Sequence, residues 1–122
     1  MIYLLDTNIL IYAFAGKEPY AKFLRTAILE ESLCFSVIVA AEFLSGAEEK
    51  EKGLFENLLN EFEVSPVTIE IARIAALYRK SYRKILRLPD ALVAAACQLH
   101  NATLVTNNLR DFPMKDIQKI IL

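Results

Sequence analysis

The feature that most constrains this chain is a set of apolar runs too short to be helices. Ile2 to Leu5, Leu33 to Val37 and Thr103 to Val105 are almost wholly apolar or β-branched. A run of that kind reads as a strand buried on both faces, as in a parallel sheet covered by helices. Each run gives way to polar residues and then to helical spacing. Asp6-Thr7-Asn8 leads into Ile9 to Phe14, which stops before Gly16. Ser36 is placed to cap a helix from Val37 to about Glu48.

The remaining segments fit the same alternation. Pro19 to Glu30 carries Tyr20, Phe23, Leu24, Ala27 and Ile28 at helical spacing. Lys50 to Phe62 is amphipathic, with Leu54, Phe55, Leu58, Leu59 and Phe62 on one face. Val64 to Val67, broken by Pro66, is a minor strand. Thr68 to about Leu86 predicts one long helix built on Ile71, Ile74, Ala75, Leu77, Tyr78 and Tyr82. Pro89 opens a helix over Ala91 to His100, as a first-turn proline should. Asp116 to Leu122 predicts a final strand on Ile117, Ile120 and Ile121. Strands and helices in this order predict an α/β fold with a mostly parallel sheet. With no internal repeat and no linker, residues 1–122 are expected to form one domain.

Composition closes off other classes. Hydrophobic residues are 55% of the chain and charged residues 24%, which excludes disorder and low complexity. Net charge is −1, so any nucleic-acid binding must come from a local patch or a metal. Cys34 and Cys97 sit in apolar runs without CxxC spacing, which predicts buried free thiols and a reducing, cytoplasmic setting. No signal peptide and no membrane-spanning run is expected. The three glycines, Gly16, Gly46 and Gly53, cannot build GxGxxG or a P-loop. The single histidine, His100, excludes His-pair ribonuclease chemistry and most catalytic zinc sites.

In a parallel α/β sheet, sites form just beyond the carboxyl ends of strands, near a topological switch point. Acids stand there. The chain has four Asp and eleven Glu, and most Glu lie on helical stretches. Asp6 follows the first strand, Asp90 follows Pro89, and Asp111 and Asp116 follow Thr106. Glu42 lies among Ala40, Ala41, Phe43 and Leu44, where a carboxylate risks partial burial. Each has a structural alternative. Asp6 can cap the next helix, although Asn8 is better placed to do so. Asp90 can complement a helix dipole. Glu42 can lie on an exposed stripe, and Asp111 and Asp116 can be ordinary loop residues. If Asp6, Glu42, Asp90 and Asp111 converge, their repulsion favours protonation or a hard divalent cation such as Mg²⁺ or Mn²⁺. That arrangement suits hydrolysis of a phosphodiester.

Four segments carry a resemblance. Leu5 to Leu10, Ser36 to Phe43, Pro89 to Ala95 and Leu104 to Phe112 are similar to the successive motifs of PIN-domain proteins, especially VapC-type toxins of toxin–antitoxin pairs. The resemblance spans essentially the whole chain. It implies a three-layer fold with about five strands flanked by helices. It also implies a Mg²⁺- or Mn²⁺-dependent endoribonuclease. Carried over by position, Asp6, Glu42 and Asp90 are its main metal-site acids. The fourth position falls to Asp111 or Asn108, with Asp111 favoured as the fourth carboxylate and Asn108 as a neutral helper. Asp6 and Asp90 then hold a metal, and Glu42 and Asp111 complete the cage or orient water. Thr7 and Thr106 resemble hydroxyls that orient these acids, with the alternative that they satisfy local backbone; Asn8 is a further supporting residue.

The resemblance also implies an RNA substrate, a VapB-type antitoxin and a homodimer. From Arg73 to Arg87 the chain carries six basic residues and no acid, ending just before Asp90. Arg79, Arg83, Arg87 and Arg110 are candidates for RNA phosphates, against the alternative of a solvated helix face. Tyr78 and Tyr82 suit packing better than base stacking. Ile28, Leu54 and Phe55 suggest an apolar dimer face. Two rival classes fit the sequence less well. A phospho-acceptor receiver domain lacks its acidic pair and its Asp after the third strand. A non-catalytic PIN-like binding module has no reason to concentrate carboxylates.

Overall fold

The computed structural model describes residues 1–122. The strands are β1 (Tyr3–Leu5), β2 (Leu33–Ser36), β3 (Glu63–Ser65), β4 (Thr103–Thr106) and β5 (Lys119–Ile121). The helices are α1 (Thr7–Phe14), α2 (Tyr20–Leu29), α3 (Val37–Gly46), α4 (Glu49–Glu61), α5 (Ile69–Ser81) and α6 (Leu88–His100). A 3₁₀ turn covers Leu109–Asp111. No helix is long and apolar enough to cross a membrane.

The five strands form one sheet in the order β3-β2-β1-β4-β5, and every pairing is parallel. The chain builds outward from β1 through β2 to β3, then returns to place β4 on the other side of β1. The switch point therefore lies between β1 and β4. Right-handed crossovers put α1 to α4 on one face and α5 with α6 on the other. Alternation along β2 agrees. Phe35 stacks edge-on against Phe55 of α4, with ring centroids 5.5 Å apart. Its neighbour Cys34 points to the opposite face, close enough to Cys97 of α6 for the two thiols to influence each other.

The inner strands are covered on both faces. All four residues of β2 and of β4 are buried. One core cluster gathers 31 buried residues from both faces. Cys34 and Cys97 are free and buried, and burial pushes the Cys34 thiol up to about 11.

The structure corrects several local expectations. The long helix ends at Ser81, not Leu86: Tyr82 leaves helical geometry and Leu86 tucks into the core. Phe55 is fully buried, so it contributes nothing to a surface; Ile28 and Leu54 instead line a shallow apolar groove with Phe14 and Leu58. Tyr78 is buried, and its hydroxyl donates to Asp116 Oδ1 at 2.7 Å, which occupies both groups in packing.

Candidate metal centre

Asp6 stands at the carboxyl end of the central strand and caps α1. Its Oδ1 accepts the Thr7 N–H at 2.8 Å, while Oδ2 accepts the Thr106 hydroxyl at 3.2 Å. The capping position belongs to Asp6 and not to Asn8, because the first helical N–H is that of Thr7. Its own N–H donates to Val105 O at 2.9 Å, which ties it across the switch point to β4. Asp90 is the third residue of α6, after Pro89. It is buried, and Oδ2 accepts Arg87 Nε at 3.2 Å.

Glu42 lies on the second turn of α3, a helix whose start is fixed by Ser36 accepting the Ile38 N–H at 3.1 Å. Glu42 is exposed, not partly buried, and accepts the Thr7 hydroxyl at 2.6 Å. Asp111 lies on the 3₁₀ turn after β4, held by Asn108 Nδ2 donating to Oδ2 at 3.0 Å. Asn108 is itself set by its N–H donating to Thr106 Oγ1 at 3.1 Å.

Asp6, Thr7, Asn8, Glu42, Arg87, Asp90 and Asp111 line one cavity of about 110 Å³ that has no hydrophobic wall. The acids are close enough to alter one another. Asp6 is pushed up to about 6, first by burial and further by the charges of Asp90 and Glu42, against the two donors on its oxygens. Asp90 is also raised, first by burial and then by Asp111 and Glu42, while Arg87 opposes the shift. Charges that disfavour ionisation in this way are a standing demand for positive charge.

The donor set is hard oxygen throughout, the kind that suits a hard divalent cation. No three of the acids are drawn into a closed cation cage. Each leans on a different neighbour: Asp90 on Arg87, Glu42 on Thr7, Asp111 on Asn108. The cleft thus gathers four carboxylates without closing them round one point.

The other expected residues lie elsewhere. Asn108 and Thr106 do not line the cavity and touch its lining through Asp111 and Asp6. Asp116 is spent on Tyr78. His100 shares a 2.9 Å hydrogen bond with Ser65 and lines no part of the cleft. Arg79 and Arg83 line a separate groove of about 560 Å³ between α5 and α6, with Lys80, Leu88 and Leu92. Arg79 also ties down the segment after α5, donating to Leu86 O at 3.2 Å. Arg110 is exposed on the 3₁₀ turn beside Asp111. Arg87, grouped by sequence with these cations, belongs to the acidic cleft. Its i,i+3 spacing to Asp90 across a helix start was the available signal.

Comparison with known proteins agrees with this architecture. The PIN domain model matches residues 3–118. Ribonuclease VapC19 of Mycobacterium tuberculosis is 36% identical over 117 residues, covering 91% of this chain and 92% of the relative. Ribonuclease VapC10 of the same organism is 34% identical over 115 residues, covering 91% and 86%. A chain from a toxin–antitoxin complex of Klebsiella pneumoniae superposes with a TM-score of 0.75 at 29% identity, covering 95% of this chain and 98% of that one. The likeness runs along nearly the whole chain, in sequence and in fold, and the chain belongs to the PIN-domain family, among proteins of the VapC type.

Proposed function

We propose that this protein is a divalent-metal-dependent endoribonuclease and the toxin of a VapBC-type toxin–antitoxin pair. The observation that carries the reading is the convergence of Asp6, Glu42, Asp90 and Asp111 on one polar cavity at the switch point of a PIN fold. Asp6 and Asp90 would hold Mg²⁺ or Mn²⁺, with Glu42 and Asp111 completing the donor set or orienting water. A bound cation supplies Lewis-acid polarisation of the phosphoryl oxygen and lowers the pKa of water.

The chain's own residues do the rest. The Thr7 N–H and the Thr106 hydroxyl fix both oxygens of Asp6. The Thr7 hydroxyl aims Glu42 at the same cavity. A carboxylate of Glu42 or Asp111, both in the cavity lining, would take the proton of an attacking water. That water's oxygen bonds to phosphorus as the ribose P–O bond breaks, and the leaving oxygen takes up a proton. No histidine is needed.

RNA is the substrate this reading requires. Arg79, Lys80 and Arg83 offer a cationic approach beside the cleft, and Arg110 offers one at its edge. A VapB-type antitoxin is the partner, its Arg or Lys pairing with the cleft carboxylates. A homodimer could bury the groove of Ile28 and Leu54. The buried free thiols fit a cytoplasmic location.

The test is cleavage of a labelled RNA pool with Mn²⁺ or Mg²⁺, against EDTA and against Asp90→Asn. Discrete products that need metal and fall at least about 100-fold in the variant are expected. Intact RNA with folded, antitoxin-free protein would favour a binding module. Cleavage surviving in Asp90→Asn would refute the site.

A further inference from the structure

Arg87 is the one cationic side chain in the wall of the acidic cleft. It stands at the cap position of α6, directly before Leu88 and Pro89. Pro89 fixes its own φ and restricts Leu88, which stiffens the start of the helix beside Arg87. The ion pair is lopsided. The Asp90 side chain is 10% exposed and that of Arg87 is 69% exposed. The carboxylate is therefore the fixed partner, and the guanidinium reaches in from solvent. The contact runs through Nε to a single oxygen, Oδ2, at 3.2 Å. It is not the bidentate fork that makes such pairs strong.

The surroundings explain why a guanidinium is there. Glu42 and Asp111 also hold Arg87 in its charged form, besides Asp90. Four carboxylates around one cavity require positive charge, and within the chain only Arg87 supplies it at the cavity wall.

From this geometry we infer that Arg87 is a built-in counter-ion: it holds Asp90 until a divalent cation binds, and then yields the carboxylate. The inference rests on the metal-dependent reading above. A dication held by Asp90 would repel the guanidinium and compete with it for the lone pairs of the carboxylate. The weaker, half-solvated partner gives way. Once displaced, Arg87 remains tethered at the cleft, where its planar fork matches a phosphate. The same residue thus neutralises the resting site and is delivered to the substrate by the act of metal binding.

The test uses the full chain, free of antitoxin. Mn²⁺ affinity is measured by calorimetry for the native protein, Arg87→Ala and Arg87→Lys. Arg87→Ala should bind Mn²⁺ about three- to tenfold tighter, with Arg87→Lys between. In parallel, the Arg87 Nε–H resonance of the native protein is followed by NMR during a Mg²⁺ titration. It should shift and saturate with the metal. Equal or weaker affinity in Arg87→Ala, or an Nε–H signal unmoved at saturation, overturns the inference and leaves the metal reading intact. If Arg87→Ala fails to fold, the NMR titration decides alone. Absence of Mn²⁺ binding in all three proteins overturns the metal reading, and this inference with it.

Discussion

Glu42 and Phe43 are neighbours on α3, and each serves a different region. Phe43 is 3% exposed, with ring centroids 4.5 Å from Phe55 and 4.8 Å from Phe14. Both contacts are tilted, while Phe55 meets Phe14 and Phe35 edge-on, an arrangement that adds to area burial. Glu42 faces a cavity with no apolar wall, beside three other acids. The aromatic region gains free energy from every contact it makes. The cleft loses it, because burial and like charge work against its ionised groups. One residue step along α3 separates what holds the protein together from what strains it, and the first has to offset the second.

The sharpest way to break this contrast is Phe55→Ala. Phe55 is fully buried at the centre of the cluster, against Phe14, Phe35 and Phe43. Truncation should cost about 3–5 kcal/mol in urea denaturation, with Mn²⁺ affinity of the remaining folded protein unchanged. A loss under about 1 kcal/mol would mean the cluster relaxes freely and is not the anchor described.

Asp6→Asn tests the opposite sign. Asp6 titrates near 6 in the fold, against an ordinary value near 4 in the unfolded chain. A folded pKa raised above the unfolded one contributes stability below pH 4 that is lost as pH rises through 6. In metal-free buffer at pH 7 the native protein therefore bears the full burden. Asn keeps the cap of α1 and removes the charge. The variant should be more stable than native by about 1–3 kcal/mol at pH 7 and nearly equal at pH 4, while losing cleavage. Added Mn²⁺ should raise the native thermal midpoint more at pH 7.5 than at pH 5, where protons compete for Asp6. Destabilisation of the variant at pH 7 would show that the cleft is not under charge strain.

What the sequence disclosed follows from range. Elements set by local pattern were readable: the apolar β2, Ser36 as a cap, Pro89 in the first turn of α6. The placement of Asp6 and of the turn after β4 on adjacent strands also followed, because parallel sheets put sites at a switch point. Side-chain direction was not readable. Thr7 reaches Glu42 across 35 positions of sequence, and Tyr78 reaches Asp116 across 38. Nothing local announces either bond. Phe55 lies on the apolar face of α4 as expected, but only the packed fold shows that face fully covered there. The basic run from Arg73 to Arg87 looked uniform, yet its last member turns into the acids because a helix starts there. The helix end at Ser81 carried no glycine or proline to mark it.

Thr106 belongs to both regions, and it makes the smallest and most discriminating test. It is fully buried at the end of β4, yet its hydroxyl donates to Asp6 Oδ2 and accepts the Asn108 N–H. Thr106→Val keeps the shape and removes both bonds. The cost should be about 1–2 kcal/mol, since a backbone N–H and a carboxylate each lose a partner. The hydroxyl is one of two donors opposing the burial of Asp6. Without it, Asp6 should hold its proton to higher pH, and the acid limb of the cleavage–pH profile should move up while the alkaline limb stays. Thr106→Ser should restore the limb. If stability falls and the limb does not move, the hydroxyl serves only the end of β4. A shifted limb with serine rescue makes Thr106 the residue through which the packed sheet sets the charge of the cleft.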